Sequence, residues 1–319
     1  MGFTDYPNGL TSFGVPIVPD TFFGKHYFVD RKLGTDDNPG TSWDQAKKTI
    51  VAGYALLRDG YNDVLHIQGT ASAYAQTAVL TLDKSYAHIV GHASPIYTGG
   101  RVRITNTVTT ATAGEFVISG VGSVFKNIHF QWGGSATATS VVGTALSGDG
   151  RNAFLNCHFE GPTDATVAGG TAIRALTITS SQDNLFKGCS FGGDTILSSS
   201  AAGSVISFNG TNNSRNVFED CIFVAYNSTT TSATVNYVNN GMATSNWNLF
   251  RNCVFHSSSG TVVADTIRYT TSALGATILQ NCALTGTGIA VWATGAWKAV
   301  IEVCNPINAV AGGLGFHPA

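Results

Sequence analysis

NAFLNCHF (152–159), NLFKGCSF (184–191), NVFEDCIF (216–223) and NLFRNCVF (248–255) are four copies of one phrase. Their cysteines, Cys157, Cys189, Cys221 and Cys253, recur every 32 residues. Self-similarity at a fixed period is the mark of a stacked-repeat architecture, in which each copy forms one rung. The slot before each cysteine holds Asn156, Gly188, Asp220 or Asn252. Those residue types accept the left-handed backbone region at least cost, so each rung carries a sharp bend there. Degenerate copies extend the ladder: VFKNIHF (124–130) has Asn127 in the bend and Ile128 in the cysteine slot. LQNCAL (279–284) has Asn281, and IEVCNP (301–306) has Val303.

A short strand precedes the bend and another follows it. Strand side chains alternate, so the phenylalanine three before the cysteine, the cysteine itself and the phenylalanine two after share one side. Phe154, Phe186, Phe218 and Phe250 then form one column, and Phe159, Phe191, Phe223 and Phe255 another. Columns of identical apolar residues belong inside a coil. The rest of each period adds apolar strands: EFVIS (115–119), TAIRALTI (171–178), SVISF (204–208), DTIRY (265–269) and GIAVW (288–292). Helical periodicity is absent here, and Gly, Ser, Thr and Asn clusters separate the strands. About three short parallel strands per turn is a parallel β-helix. Leucine-rich repeats have a shorter period, and a propeller blade needs a longer one.

The six cysteines all fall in one strand column. Parallel register holds neighbouring Cβ atoms wider apart than a disulfide prefers, so six buried free thiols are expected, as in a chain made in a reducing cytoplasm.

Residues 1–24 read as an extended arm, rich in proline and glycine, with Tyr6, Phe13, Pro16 and Pro19 as candidate contacts to a neighbour. Residues 25–62 read as a strand, a turn and a capping helix, because a solenoid end exposes core residues and needs a lid. Ser42 is the expected N-cap, with Gln45 three later, and Ala46, Ile50, Tyr54 and Leu57 share one helical face. The coil is expected over 63–308 and a C-terminal tail over 309–319.

FVDRKLGTDDNPGTSWDQAKKTI, followed by DVLHIQGTASAY and HIVGH, resembles the start of right-handed β-helix proteins of the pectin-lyase-like superfamily, as do the cysteine rungs. That resemblance spans about residues 26–305. It implies an all-β, right-handed, single-stranded parallel β-helix with an N-terminal capping helix. The opening phrase YPNGLTSFGVP resembles the start of bacteriophage structural proteins. It implies a virion location, and viral β-helices imply a homotrimer.

Such folds host lyases, hydrolases, esterases and inert structural proteins, so function rests on the side chains. Polysaccharide lyases and hydrolases need carboxylates or a base gathered on adjacent rungs. Asp183 lies six before its cysteine, but the equivalent positions are Arg151, Arg215 and Trp247, so no acidic column forms. The Asp220 carboxylate is expected to bond its own local backbone. One grouping stands out: His129 and His158 should point outward from neighbouring rungs as an exposed polar ladder, with Gln131 and Glu160 two residues further on. His129, His158 and Glu160 are the one set that could hold a metal; otherwise no metal and no cofactor is expected. Tyr226, Tyr237, Trp247, Tyr269, Trp292 and Trp297 could form a sugar-binding face.

Charged residues are 11% of the chain and the net charge is −2, against roughly 25% charged in typical globular chains. A basic nucleic-acid footprint is absent, as are a membrane-length apolar run and a signal peptide. The leading expectation is a non-enzymatic phage virion protein, decorating the head. It would pair with itself and, through the arm, with the major capsid protein or other virion proteins. A tailspike or tail fibre that binds host glycan and could cleave it is the alternative, and a polysaccharide lyase or hydrolase the third.

Overall fold

The computed structural model describes residues 24–94, 101–106, 114–133, 142–163, 173–198, 203–210, 212–226, 233–238, 247–258, 265–269 and 276–286. It also describes the backbone of 11–12, 15–16, 293–294 and 299–302. Tyr6, Phe13, Pro19, Trp292, Trp297, Cys304 and the 309–319 tail lie outside these, as do the side chains of Pro16 and Tyr269. Of the arm, only an antiparallel backbone pairing of Thr11–Ser12 with Val15–Pro16 is described.

The chain is an all-β parallel β-helix. Among the described residues its strands form three long sheets of ten, eight and eight strands. The first sheet runs from His26–Val29 through Val124–Lys126, Ala153–Leu155, Leu185–Lys187, Val217–Glu219 and Trp247–Arg251 to Ala299–Glu302. The second runs from Tyr74–Gln76 through Ile128–Trp132, His158–Phe159, Ser190–Gly192 and Ile222–Ala225 to Ala283–Gly286. The third runs from Leu80–Leu82 through Phe116–Ile118, Val142–Leu146, Arg174–Thr179 and Ser204–Asn209 to Ala293–Thr294. The segment GIAVW lies outside the described residues, and Ala293–Thr294 pairs in the third sheet just after it.

The bend between the first and second sheets is the slot read from the sequence. Asn127, Asn156, Asp220, Asn252 and Asn281 have φ of 56°, 52°, 55°, 52° and 50°, and Gly188 has 62°. This left-handed conformation turns the chain in one residue, and Asn, Asp and Gly adopt it with least strain. The Asp220 carboxylate bonds outward along the ladder rather than to its own local backbone. It accepts Asn252 Nδ2 at 3.1 Å, and Asn252 Oδ1 accepts Asn281 Nδ2 at 2.8 Å. A short polar side chain in the bend therefore also ties one rung to the next.

Register follows the repeat, with Phe154 opposite Phe186, Phe218 and Phe250 in turn. Their rings stack face to face at 4.8, 4.6 and 4.6 Å, and Phe125 adds one more below at 4.9 Å. Phe159, Phe191, Phe223 and Phe255 stack likewise at 5.2, 4.9 and 4.7 Å. The two columns meet edge to face, as with Phe186 and Phe191, the geometry the ring quadrupole favours. All of these rings are buried.

Cys157, Cys189, Cys221, Cys253 and Cys282 are buried and free. Each Sγ donates to a carbonyl of the preceding rung, as Cys189 does to Phe154 O at 3.2 Å and Cys221 to Phe186 O at 3.3 Å. Burial pushes the Cys157 and Cys221 thiols up. Donation to a carbonyl requires the proton, so the column is neutral.

A second ladder sits where the third sheet turns into the first. Asn152, Asn184, Asn216 and Asn248 are buried. Asn184 Oδ1 accepts Asn152 N at 3.1 Å, Asn216 Oδ1 accepts Asn184 N at 3.2 Å, and Asn248 Oδ1 accepts Asn216 N at 2.9 Å. Their amide groups serve backbone N–H donors that the turn leaves unpaired, a need that buried backbone always imposes.

The cap differs from the sequence reading. Ser42 precedes only a 3-10 turn, Trp43–Gln45, and makes no side-chain cap bond. The α-helix, α1, is Ile50–Leu56, and Thr49 is its N-cap, accepting from Ala52 N at 3.2 Å. The break arises because Lys47 is drawn into strand pairing: its N–H donates to Phe28 O and its carbonyl accepts Asp30 N. Asp36 then accepts from Lys48 N, Thr49 N and Thr49 Oγ1, and this holds its carboxyl low despite partial burial. Ala46, Ile50, Tyr54 and Leu57 are nonetheless all buried. Lys84 Nζ closes the helix C-terminus by donating to the carbonyls of Tyr54, Ala55 and Leu57, the end where a cation is favoured.

Candidate functional site

The second sheet brings His129 and His158 directly opposite each other. Phe130 and Phe159, one residue on, point into the core, so the imidazoles point outward. Their rings lie 4.4 Å apart, tilted by 32°. They are not an exposed ladder: His129 is 5% and His158 9% exposed. Arg101 covers this face. It donates Nη1 to Ser190 Oγ at 3.2 Å and Nε to Asn156 O, and it is itself buried.

Glu160 follows the His158 strand. His129 Nε2 donates to Glu160 Oε2 at 2.8 Å. His158 Nε2 donates to Gly192 O at 3.1 Å, which fixes its tautomer and leaves Nδ1 as a buried acceptor with no partner. Burial, then the nearby His129 and Arg101, push the His158 pKa down to about 3, so this ring is neutral at physiological pH. Gln131, on the same strand as His129, accepts Thr105 Oγ1 at 2.6 Å. A neutral donor, a paired carboxylate and a covered guanidinium make a packed polar seam. Among the described residues no three His, Cys, Asp or Glu side chains are grouped so as to hold a metal ion.

Glu160 and Gln131 reach the edge of a cleft of about 210 Å³ at the corner between the second and third sheets. Its walls include Ile173, Val205, Ser204 and Tyr226, and its floor Gly192. Gly192 has φ +81°, and a Cβ there would meet the backbone oxygen of Val224 on the next rung at 2.1 Å, so the close stacking of strands requires glycine at this position. Of the aromatics read as a sugar face, Tyr226 is the one that lines the cleft among the described residues. Tyr237 is in the core, stacked on Phe208 at 4.7 Å, with its hydroxyl accepting Thr277 Oγ1. Trp247 is half-buried in the first sheet.

Asp183 and Arg215 sit at equivalent places in consecutive rungs, both left-handed at φ 58° and 56°. Arg215 Nε donates to Asp183 Oδ1 at 2.6 Å and Nη2 to Oδ2 at 2.9 Å. That forked pairing holds the Asp183 carboxyl below its ordinary range.

Sequence reasoning passed over Glu115. It precedes the strand Phe116–Ile118 and is fully buried, with neither carboxyl oxygen hydrogen-bonded. The indole N–H of nearby Trp132 is likewise unpartnered. Burial pushes the Glu115 pKa up to about 8, which Trp132 only partly offsets. The signal was present: EFVIS opens with a lone acid in an otherwise apolar strand.

No protein-family model matches this chain, and no curated protein matches it in sequence. Solved structures match its fold. A crystal structure of pectate lyase Pel9A aligns with a TM-score of 0.57 at 13% identity, covering 82% of this chain and 64% of that one. The chain thus spans under two thirds of that enzyme's length. The pectin methylesterase from Aspergillus niger aligns at a TM-score of 0.48 and 14% identity, covering 87% and 85%. The tailspike protein of Acinetobacter phage vB_ApiP_P1 aligns at 0.37 and 12%, covering 73% and 49%. The likeness to Pel9A carries the fold, a pectate-lyase-like parallel β-helix, and nothing about activity.

Proposed function

We propose that this chain is a non-enzymatic structural protein of a bacteriophage virion, a decoration or auxiliary protein of the head. One observation carries the reading: several charged and imidazole groups of its described faces join one rung to the next. His129 binds Glu160, Arg215 binds Asp183, Lys187 pairs with Glu219 at 3.5 Å, and Asp220 accepts Asn252. Catalytic acids and bases need partners that shift their proton affinity toward the working pH. The neutral His158 and the ion-paired Asp183 are tuned away from it, and Glu115, raised to about 8, is sealed from solvent. The opening phrase YPNGLTSFGVP, with its resemblance to phage structural proteins, supplies the virion assignment.

The outer face of the first sheet supports self-association. Val124, Ala153, Leu185, Val217, Leu249 and Ile278 follow one another in register, pointing away from the core and half-buried. An unbroken apolar stripe on a chain with 11% charged residues suits a protein interface. A second copy is the proposed occupant, within a homotrimer. Among the described residues no helix is long and apolar enough to cross a membrane.

The experiment is deletion of residues 1–24. The full chain should co-sediment with purified capsids of its phage, and the truncated chain should not; equal co-sedimentation refutes the arm as the anchor. A second reading, a tail protein that binds host glycan, draws on the cleft beside Glu160 and Tyr226. It predicts loss of glycan binding, with capsid binding intact, on Tyr226→Ala.

A further inference from the structure

A different cluster of titratable side chains lies on the outer face of the first sheet, at its N-terminal edge. His26, His66 and His92 belong to its first three strands, His26–Val29, Asp63–Gln68 and Ala87–His92. His26 Nδ1 is 2.8 Å from His66 Nε2, and His66 Nδ1 is 2.8 Å from His92 Nε2. The His26 ring lies edge to edge with His66 and nearly coplanar with it, centroids 5.1 Å apart, while Phe28 stacks on His66 at 5.0 Å. Trp43 stands edge-on to Phe28 and His92 at 4.8 and 5.3 Å.

Such a row has a fixed proton capacity. Each N···N contact holds one proton between its two nitrogens. Three imidazoles have six nitrogens, and four of these are committed to the two contacts. The row therefore accepts at most four protons with both contacts intact, one more than its neutral state. A second added proton sets N–H against N–H and breaks a contact, while like charges about 5 Å apart repel.

We infer that the His26–His66–His92 row is an acid-sensitive fastening, holding the first strand, and with it the root of the N-terminal segment, to the coil. Two acids on the surrounding elements are engaged elsewhere. Asp63 is committed to Arg58, which donates Nε and Nη2 to it, and to Lys25 N. Asp30 accepts from Lys32 and Leu33 N. His88 is buried, with Nε2 on Asn62 Oδ1 and Nδ1 accepting Val124 N, and is held to a pKa of about 4 by burial. Lys47 Nζ donates to Asp36 O. Lys25 precedes His26, and Lys126 lies opposite Val90, itself opposite His66; both add positive charge. Asp44, beside Trp43, is the one further acid on these elements.

From Phe28 onward the strand is bonded along both edges, by the parallel pairing His26–Val64 to Val29–Ile67 on one side and by Gly40 and Lys47 on the other. Its root, His26 and Tyr27, has the sheet pairing on one side, and there the histidine row adds its hold.

The test is amide hydrogen exchange of the full chain, read as protection factors so that the chemical pH dependence is removed. Between about pH 7.5 and pH 5, peptides covering 24–30 should lose protection roughly tenfold or more, while 184–191 in the middle of the coil should not change. His66→Gln keeps a donor and an acceptor but cannot titrate, and should make 24–30 insensitive to acid. His66→Phe keeps the ring stacking without the contacts, and should also be insensitive; it serves if the glutamine variant fails to fold. Equal loss in wild type and variants, or no loss in wild type, would overturn the inference.

Discussion

Glu115→Gln tests the energetics of the coil most sharply. The carboxyl is fully buried with no hydrogen-bond partner, and its pKa is raised from 4.5 to about 8. In the unfolded chain the same group ionises near its ordinary value. Between pH 4.5 and about 8 the folded state therefore binds one proton more than the unfolded state, and stability falls as pH rises. Below that window both states are protonated and above it both are ionised, so the slope vanishes at either end. At about 1.4 kcal/mol per pH unit, the full window amounts to about 5 kcal/mol, an upper figure because buried sites relax around a charge. The amide matches the protonated acid in shape and charge. The variant should match wild type within about 1 kcal/mol at pH 4 and exceed it by several at pH 8. His158 and His88 act in the opposite sense. Their pKa values are depressed to about 3 and about 4, so their contribution is present above about pH 6.5 and is lost on acidification. They are common to both proteins and cancel in the difference. The assay is equilibrium urea unfolding at half-unit steps from pH 4 to 8. If the variant-minus-wild-type difference is flat across that range, Glu115 is not a buried, protonated acid and the reasoning fails.

Three further outcomes follow from the ladders. Phe218→Ala removes a ring stacked at 4.6 Å on both neighbours and should destabilise by about 3–5 kcal/mol in urea unfolding, as for other buried phenylalanines. Asn252→Ala, in a left-handed bend at φ 52°, should cost about 1–2 kcal/mol, with Asn252→Gly recovering most of the backbone part, checked by the same unfolding curves. Cys157, Cys189, Cys221, Cys253 and Cys282 are buried, so a thiol reagent should leave them unlabelled in native protein and label all of them once it is denatured, read by mass spectrometry of their peptides.

The bend column was legible because the backbone requirement is written in residue type: only Asn, Asp and Gly occupy that slot in six successive rungs. The phenylalanine columns were legible because parallel register converts a sequence period into a stack. Asn152, Asn184, Asn216 and Asn248 were visible as part of the repeated phrase, yet their role was not. An amide that serves backbone donors one rung away looks, in sequence, like any turn asparagine. The helix start was misread for a tertiary reason. Ser42 and Gln45 satisfy the local capping pattern, but the pairing of Lys47 with Phe28 and Asp30 takes the chain out of helix before Thr49 restarts it. His129 and His158 were placed on the correct side of the sheet. Their burial depends on Arg101, which comes from an earlier rung and lies outside the repeat phrase. No local pattern announces such a cover.

The most direct test of the functional account is mass spectrometry of gradient-purified particles of the phage proposed to encode this chain, with heads and tails separated. The account predicts the protein in the head fraction, in multiple copies, and no release of saccharides when the purified protein is incubated with host surface polysaccharide. Absence from the particles, or a tail-fraction protein that shortens that polysaccharide, would contradict it.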